Sequence, residues 1–305
     1  MKNKYFFIYL LSVFLIVWCF DSTFSVVTEK TVGGRYNSKI NKAYTSRPDI
    51  AIVGASRASH HYIPQLFEDS LSVTTYNYGI DGQNIFVHYA VIASLLRDSI
   101  NNPKVILLDL SSIDLEDQKQ YNTERLDILY PYYTSDIKIK ELLNEVLNKE
   151  EIFFINNSAL YRHNSAPLAY FKNYIQGSQN DSQKGFLPLS NQWNDSIEIQ
   201  KQNVRNFHPL KLKYLNRIIE LCKNKNVKLI LVISPHYAIV GSPTWISKIN
   251  YIATQKNVPF FNFENSPIFL EHPEWFNEPY HLNKRGAQVF TDSIINKIKP
   301  YINTQ

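Results

Sequence analysis

Three stretches constrain the fold more than anything else in the chain: "DIAIVGAS", "KVILLDLSS" and "VKLILVISP". Each is an unbroken apolar run of strand length that ends in Gly, Ser, Asp or Pro. A strand that alternates apolar and polar residues buries one face, whereas a strand apolar at every central position must be covered on both. Segments with apolar residues three and four apart, the helical spacing, separate and follow them: "NIFVHYAVIASLLRDSI", "LKLKYLNRIIELCKNKN" and the closing "GAQVFTDSIINKIKPYI". "SVTTYNYG", rich in β-branched and aromatic residues, and "VPFFNF" read as further strands. Strands alternating with helices predict an α/β fold, a doubly wound parallel sheet in a three-layer α/β/α arrangement with right-handed crossovers. Sheets of this kind place their sites at the carboxyl ends of the strands, where Ser56 and "DLSSID" both fall.

With 305 residues the chain can bury a sizeable core. Its 44% hydrophobic and 19% charged content is a globular balance. The net charge of +5 comes from scattered lysines and arginines without a dense basic block, which argues against a nucleic-acid partner. The two cysteines, Cys19 and Cys222, have no metal-type spacing and lie in an apolar run and a predicted helix, so no disulfide is expected.

The N-terminus reads differently. Lys2 and Lys4 precede an apolar run from Tyr5 to Phe20, the layout of a signal peptide or a short signal anchor. No clear small-x-small cleavage site follows, which favours an uncleaved anchor in the membrane. The lysines favour a cytoplasmic N-terminus with the rest of the chain outside, in the periplasm or cell envelope. Trp18 stands where a lipid-attachment cysteine requires a small residue before it, which argues against lipidation at Cys19. Residues 21–46 are polar and read as an irregular tether, leaving 47–305 as the folded domain. Within it, about 115–208 breaks the strand–helix alternation and reads as an insertion after the third strand, with helical patches such as "IKIKELLNEVL". Insertions there commonly shape substrate access.

Ser56 follows the first strand at a tight turn opened by Gly54. A serine hydroxyl becomes a nucleophile only when a base takes its proton. A purely structural reading has Ser56 cap a helix. Near the other end of the chain, "NEPYHLN" places Glu278 three residues before His281. A carboxylate can fix the tautomer of an imidazole and stabilise its charged form; the bland reading is a loop histidine. Arg57 is a candidate for binding an anionic substrate, or a structural ion-pair partner. His60, four residues after Ser56, shares its helical face, and His236 in "SPHY" follows the fourth strand as a substrate contact or a loop residue. Adjacent His60 and His61 diverge in direction and have no acidic ligand cluster beside them, so no metal is expected. The chain has no Gly-x-Gly-x-x-Gly and no phosphate loop.

In this order the pieces resemble the SGNH hydrolases, the GDSL-like esterase superfamily. Gly54-Ala55-Ser56 matches the first block, Asn77-Tyr78-Gly79-Ile80-Asp81-Gly82 the second, and Glu278-Pro279-Tyr280-His281 the last, over roughly 48–300. The resemblance implies a flavodoxin-like fold, Ser56 as nucleophile, His281 as general base, Glu278 as its orienting acid, and backbone N–H groups of Gly82 and Ser56 facing an oxyanion, with no cofactor; Asn84, with Arg57, His60 and His236 as read above, completes the candidate oxyanion or substrate-binding set. Two departures stand out. Glu278 replaces the usual aspartate, and Ile113 falls where the third block has an asparagine whose amide completes the oxyanion hole; Ser111, Ser112 or Arg57 are the available substitutes. Asp114 matches that block's aspartate, or caps a loop. Branches of the family that lack the asparagine include envelope proteins handling acyl groups on polysaccharides. The implied activity is therefore an esterase or O-acyltransferase acting on acylated envelope carbohydrate. The rival is a glycan-binding or assembly protein that kept the fold without catalysis.

Overall fold

The computed structural model describes residues 2–30, 39–98, 102–117, 125–163, 181–193, 206–237, 244–264 and 266–302. In chain order the elements are α1 (Lys2–Lys30), α2 (Lys39–Thr45), β1 (Ile50–Gly54), α3 (Ser56–His61), α4 (Pro64–Leu71), β2 (Thr75–Asn77), α5 (Ile85–Leu95) and β3 (Val105–Asp109). After 3-10 turns at Ser112–Asp114 and Leu126–Tyr132 come α6 (Ile137–Val146), α7 (Lys149–Asn157) and α8 (Ala159–Arg162). The chain returns through α9 (Pro209–Asn224), β4 (Lys228–Ile233), α10 (Thr244–Lys256), β5 (Phe260–Asn262), α11 (Pro267–Leu270), β6 (Phe276–Glu278), β7 (His281–Leu282) and α12 (Lys284–Ile302). Two compact units result, one of residues 1–41 with 123–179 and one of residues 42–122 with 180–305.

The larger unit holds a five-stranded sheet of order β2-β1-β3-β4-β5, parallel throughout. This is the flavodoxin-like order, which reverses between β1 and β3 and opens a crevice at their carboxyl ends. Because side chains alternate across a strand, each apolar run feeds two cores. Ile50, Ile52, Val105, Leu107, Ile230 and Val232 face one side and pack with Ala58, Tyr62 and Phe67 from α3 and α4 and with Phe290, Ile294 and Ile298 from α12. The alternate residues face the other side, where α5 lies against β1, α9 lies against β4, and the two helices pack on each other. Every residue of α5 is buried, which is why its pattern shows little polar face. The β2 edge is covered where Asn77 N–H donates to the Lys184 carbonyl at 2.9 Å.

The smaller unit contains α1 and residues 123–179 of the segment between β3 and β4. Three of its helices start on a side-chain cap: Asp136 for α6, Asn148 for α7 and Ser158 for α8, each worth about 1 kcal/mol. The irregular reading of 21–46 needs correction. Helix α1 continues past the apolar run to Lys30, and Lys39–Thr45 is helical. Polar composition alone does not break a helix that an adjoining apolar segment has nucleated. Residues 31–38 lie outside the described residues, as do 118–124, 164–180 and 194–205 of the expected insertion.

Candidate active site

The residues that the sequence singles out at its two ends meet at the carboxyl edge of the sheet. Strand β1 ends at Gly54, where a side chain would collide with the Asp109 carbonyl oxygen at 2.7 Å and the Ala58 Cβ at 2.8 Å. Glycine is thus required by close approach of β3 and α3. The turn delivers Ser56 as the first residue of α3, with Ala55 in the capping position and no side-chain cap bond. The helix-capping reading of Ser56 therefore does not describe its hydroxyl. Instead Ser56 Oγ lies 2.6 Å from His281 Nε2.

His281 sits on the short antiparallel pair β6–β7, directly opposite Glu278 in register. This pairing, and not a helical turn, brings the two side chains together: His281 Nδ1 is hydrogen-bonded to Glu278 Oε1. The second carboxylate oxygen, Oε2, accepts the Tyr280 backbone N–H at 2.9 Å. Partial burial works to raise the Glu278 pKa, but the hydrogen bonds from His281 and Tyr280 outweigh it and hold the carboxyl below the ordinary glutamate range. An ionised carboxylate on Nδ1 keeps the Nδ1–H tautomer and leaves the Nε2 lone pair for the serine proton. The imidazole and carboxylate remain 24% and 36% exposed, so the site is reachable from solvent.

His61 is the residue that sequence reasoning passed over. It closes α3 and is fully buried. Its Nε2 accepts the backbone N–H of Leu282 at 2.9 Å, and its Nδ1 lies 3.1 Å from Ser234 Oγ at the end of β4. One ring thus ties the helix that carries Ser56 to the strand that carries His281. Burial, reinforced by the neighbouring His281 and Arg57, pushes its pKa well below the usual histidine value, as the acceptor role at Nε2 requires. The visible signal was the pair His60-His61. Side chains one residue apart on a helix diverge by about 100°, and the two rings do take separate partners. His60 Nδ1 lies 2.7 Å from the Leu187 carbonyl and Nε2 lies 3.2 Å from Asp81, while its ring stands edge-on to His281 at 5.3 Å.

Of the alternatives open for Arg57 and His236, the described contacts are those of a buried polar cluster. Arg57 is only 9% exposed. It donates to the Leu110 carbonyl at 2.6 Å and the Ser234 carbonyl at 3.3 Å, and lies 3.0 Å from His236 Nδ1. The opposite ring nitrogen of His236 lies 3.0 Å from Glu264, a buried carboxylate just past β5. Burial lowers the His236 pKa despite the Glu264 carboxylate. The physical reason is helical geometry again: a residue following Ser56 by one position is swung away from its side and into the protein. Asp109, at the end of β3, accepts the Ser234 N–H at 3.2 Å within the same cluster, and burial raises its pKa.

The other expected contacts are structural in their described bonds. Asn84 caps α5, its Oδ1 accepting the Phe86 N–H at 3.0 Å. Asn77 donates to the Ala58 and Tyr62 carbonyls at 2.6 and 3.0 Å, and Gly82 turns the following loop with φ 70°. Asp114 takes the capping role: Oδ2 accepts the Ser111 N–H at 2.7 Å and the Ser111 hydroxyl at 2.9 Å. His88, buried beside it, lies 3.1 Å from Asp114 Oδ1. Burial opposes ionisation of Asp114, yet these contacts bring its pKa below the ordinary value. Ser111 is thereby committed to Asp114, as Arg57 is to its buried partners. Ile113 offers no polar side chain, and its carbonyl accepts the buried Lys211 ammonium at 2.7 Å. A cleft of about 440 Å³ at the opposite, amino end of β4 and β5, bordered by Lys223, Lys228 and Lys256, lies away from this chemistry.

No family model matches the sequence, and no curated protein matches it. Solved structures of GDSL-like and esterase proteins are similar to it. A candidate acylhydrolase from Bacteroides fragilis is 13% identical with a TM-score of 0.42, over 88% of this chain and 96% of that one. The esterase EstA from Pseudoalteromonas, solved with a monoethylphosphonate inhibitor, is 12% identical with a TM-score of 0.43, over 84% and 98%. A GDSL-like lipase from Bacteroides thetaiotaomicron is 11% identical with a TM-score of 0.36, over 81% and 87%. At such identities and scores, the chemistry of the site rests on its own geometry.

Proposed function

We propose that this chain is a serine-dependent ester hydrolase, and that the finer role is acyl-ester cleavage or O-acyl transfer on envelope or extracellular carbohydrate. The observation that carries the reading is the line Ser56 Oγ, His281 Nε2, His281 Nδ1, Glu278 Oε1. Ser56 Oγ attacks the ester carbonyl while its proton passes to His281 Nε2, and Glu278 stabilises the imidazolium. Collapse of the tetrahedral species expels the alcohol, which takes the proton from His281. The acyl-serine then passes its acyl group to water, giving a hydrolase, or to a sugar hydroxyl, giving a transferase; His281 takes the proton of the attacking group and returns it to Ser56 Oγ as the acyl–serine bond breaks. Backbone N–H groups at Ser56 and Gly82 are assigned to the developing oxyanion, the place where a donor lowers the barrier. No cofactor enters this scheme. The carbohydrate substrate and envelope location draw support from the apolar leader and the family resemblance.

The second reading, a glycan-binding or assembly protein without turnover, is favoured by Ile113, since loss of one oxyanion donor costs on the order of 10²–10³ in rate. Acetyl-ester turnover on a chromogenic acetate, with Ser56→Ala as control, separates them. The enzyme reading expects turnover and fluorophosphonate labelling of the natural chain and neither in the variant. Equal background rates and no labelling in both sink it.

A further inference from the structure

The smaller unit contains the one described helix long and apolar enough to cross a membrane, over Tyr5–Ser25 with mean hydropathy 1.9. Its apolar side chains are exposed to solvent throughout the run, Phe6 at 60% and Phe14 at 65%. The helix is also part of the fold. Asp21, the first residue after the apolar run, accepts the Ser158 hydroxyl at 2.7 Å and the backbone N–H groups of Ala159 and Leu160 at 3.0 and 2.8 Å. These are orphan donors of α8's first turn, so α1 supplies the carboxylate that closes it. One turn further along, Phe24 packs edge-on against His163. A removable leader has no reason to complete the hydrogen bonding of a helix 137 residues later in the chain.

The helix that ends at this junction is α7, whose Phe154 carbonyl accepts the Ser158 N–H at 3.0 Å. Ile155 is buried under α7, while Phe153 and Phe154 are 61% and 50% exposed and touch edge-on. Phe153 lies about 200° around the helix from Ile155, so it faces away from the unit's core. Two adjacent exposed phenylalanines, one helical turn from the point where a membrane-length helix leaves its apolar run, need a cover. The span Tyr5–Ser25 measures about 32 Å along the helix axis, close to the ~30 Å hydrocarbon layer, so the Asp21 junction at its far end lies near the membrane interface.

We propose that Phe153 and Phe154 insert into the lipid interface beside the exit of α1, so that the smaller unit rests on the bilayer and does not hang from a tether. The occupant of this apolar face is lipid, and α1 is retained in the mature chain. Aromatic side chains at headgroup depth next to a spanning helix are a favourable arrangement.

The test uses the full chain in phospholipid vesicles. A nitroxide is placed at Phe153→Cys or Phe154→Cys in a Cys19→Ser background; Cys222 is buried and stays unlabelled. Collision rates with oxygen, which enriches in lipid, and with a nickel chelate, which stays in water, are compared with those of Glu220→Cys. Labelling the natural Cys19 reports on α1. The proposal expects the oxygen-to-nickel ratio at 153 and 154 to exceed that at 220 at least threefold, with Cys19 higher still. A ratio at both phenylalanine positions equal to that at 220, or a mature chain lacking residues 1–20, overturns it. No readout involves ester turnover, so the result stands apart from the enzyme reading.

Discussion

Two of the histidine–glutamate pairs in the larger unit pair the same residue types in different surroundings. His281 and Glu278 are 24% and 36% exposed, and the free ring nitrogen faces a serine hydroxyl. His236 and Glu264 are both 4% exposed, and the other ring nitrogen of His236 already faces the Arg57 guanidinium. A base needs an unoccupied lone pair directed at a proton it can take, and access for the molecule that reacts. The first pair has both. The second has neither: guanidinium, imidazole and carboxylate satisfy one another in a site that water does not reach. Residue type does not separate such pairs; exposure and the third partner do.

The sharpest break of that comparison is His281→Ala against His236→Gln. Removing the base should lower kcat on the order of 10⁵–10⁶, with the circular dichroism spectrum unchanged. The His236 variant should keep kcat within tenfold among molecules that remain folded. If both variants lose activity equally while both stay folded, the distinction drawn here is wrong. Next comes Glu278→Gln, which preserves shape and removes the charge that stabilises imidazolium; kcat should fall about 10⁴. Because the Glu278 pKa is held below the ordinary range, the natural enzyme should show no activity change attributable to this carboxyl above about pH 4.5.

Arg57→Met probes the buried side. It removes the donors to the buried Leu110 and Ser234 carbonyls and to His236 Nδ1, and leaving a buried acceptor unpaired costs about 1–3 kcal/mol. Urea unfolding monitored by tryptophan fluorescence should show that loss, with turnover of the surviving folded fraction little changed. A variant as stable as the natural chain would show that the Arg57 contacts carry no weight.

The sheet was legible because its constraint is local. Runs such as "KVILLDLSS" must be covered on both faces, and no other arrangement of that composition does so with alternating helices. Ser56, Glu278 and His281 were legible because strand ends and a short hairpin turn are local as well. What stayed hidden depends on contacts distant in sequence. Arg57 stayed open between an anion site and a structural partner because nothing near it in the chain announces Glu264, some two hundred residues away, as the acid of a buried cluster. His61 was weighed only as a metal ligand beside His60, since its acceptor role depends on the Leu282 N–H, which only the folded chain presents. The residues after Phe20 looked like a tether because the bond from Asp21 to the start of α8 joins segments far apart in sequence.

The smallest effect expected is also the one that weighs the buried histidines together. Burial lowers the pKa of both His61 and His236, the first more strongly. In the unfolded chain each titrates near 6.5. As pH falls through that value the unfolded state takes up protons that the folded state refuses, so stability is complete above about pH 6.5 and declines as pH drops toward the folded values. Each histidine that protonates only on unfolding contributes a slope approaching 1.4 kcal/mol per pH unit. Asp109, whose pKa burial raises, has the opposite sign: as pH falls the folded state takes up its proton before the unfolded chain does. The histidine share is therefore read from the difference between the natural chain and a histidine variant, in which the Asp109 contribution is common to both. Urea midpoints at pH 7.5 and 5.5 should differ in the natural chain, and His236→Gln should reduce that difference by about one proton's share. An unchanged pH dependence in the variant would mean that His236 is already protonated in the fold, giving it a donor at Nδ1 facing the Arg57 guanidinium, which the 3.0 Å contact does not tolerate.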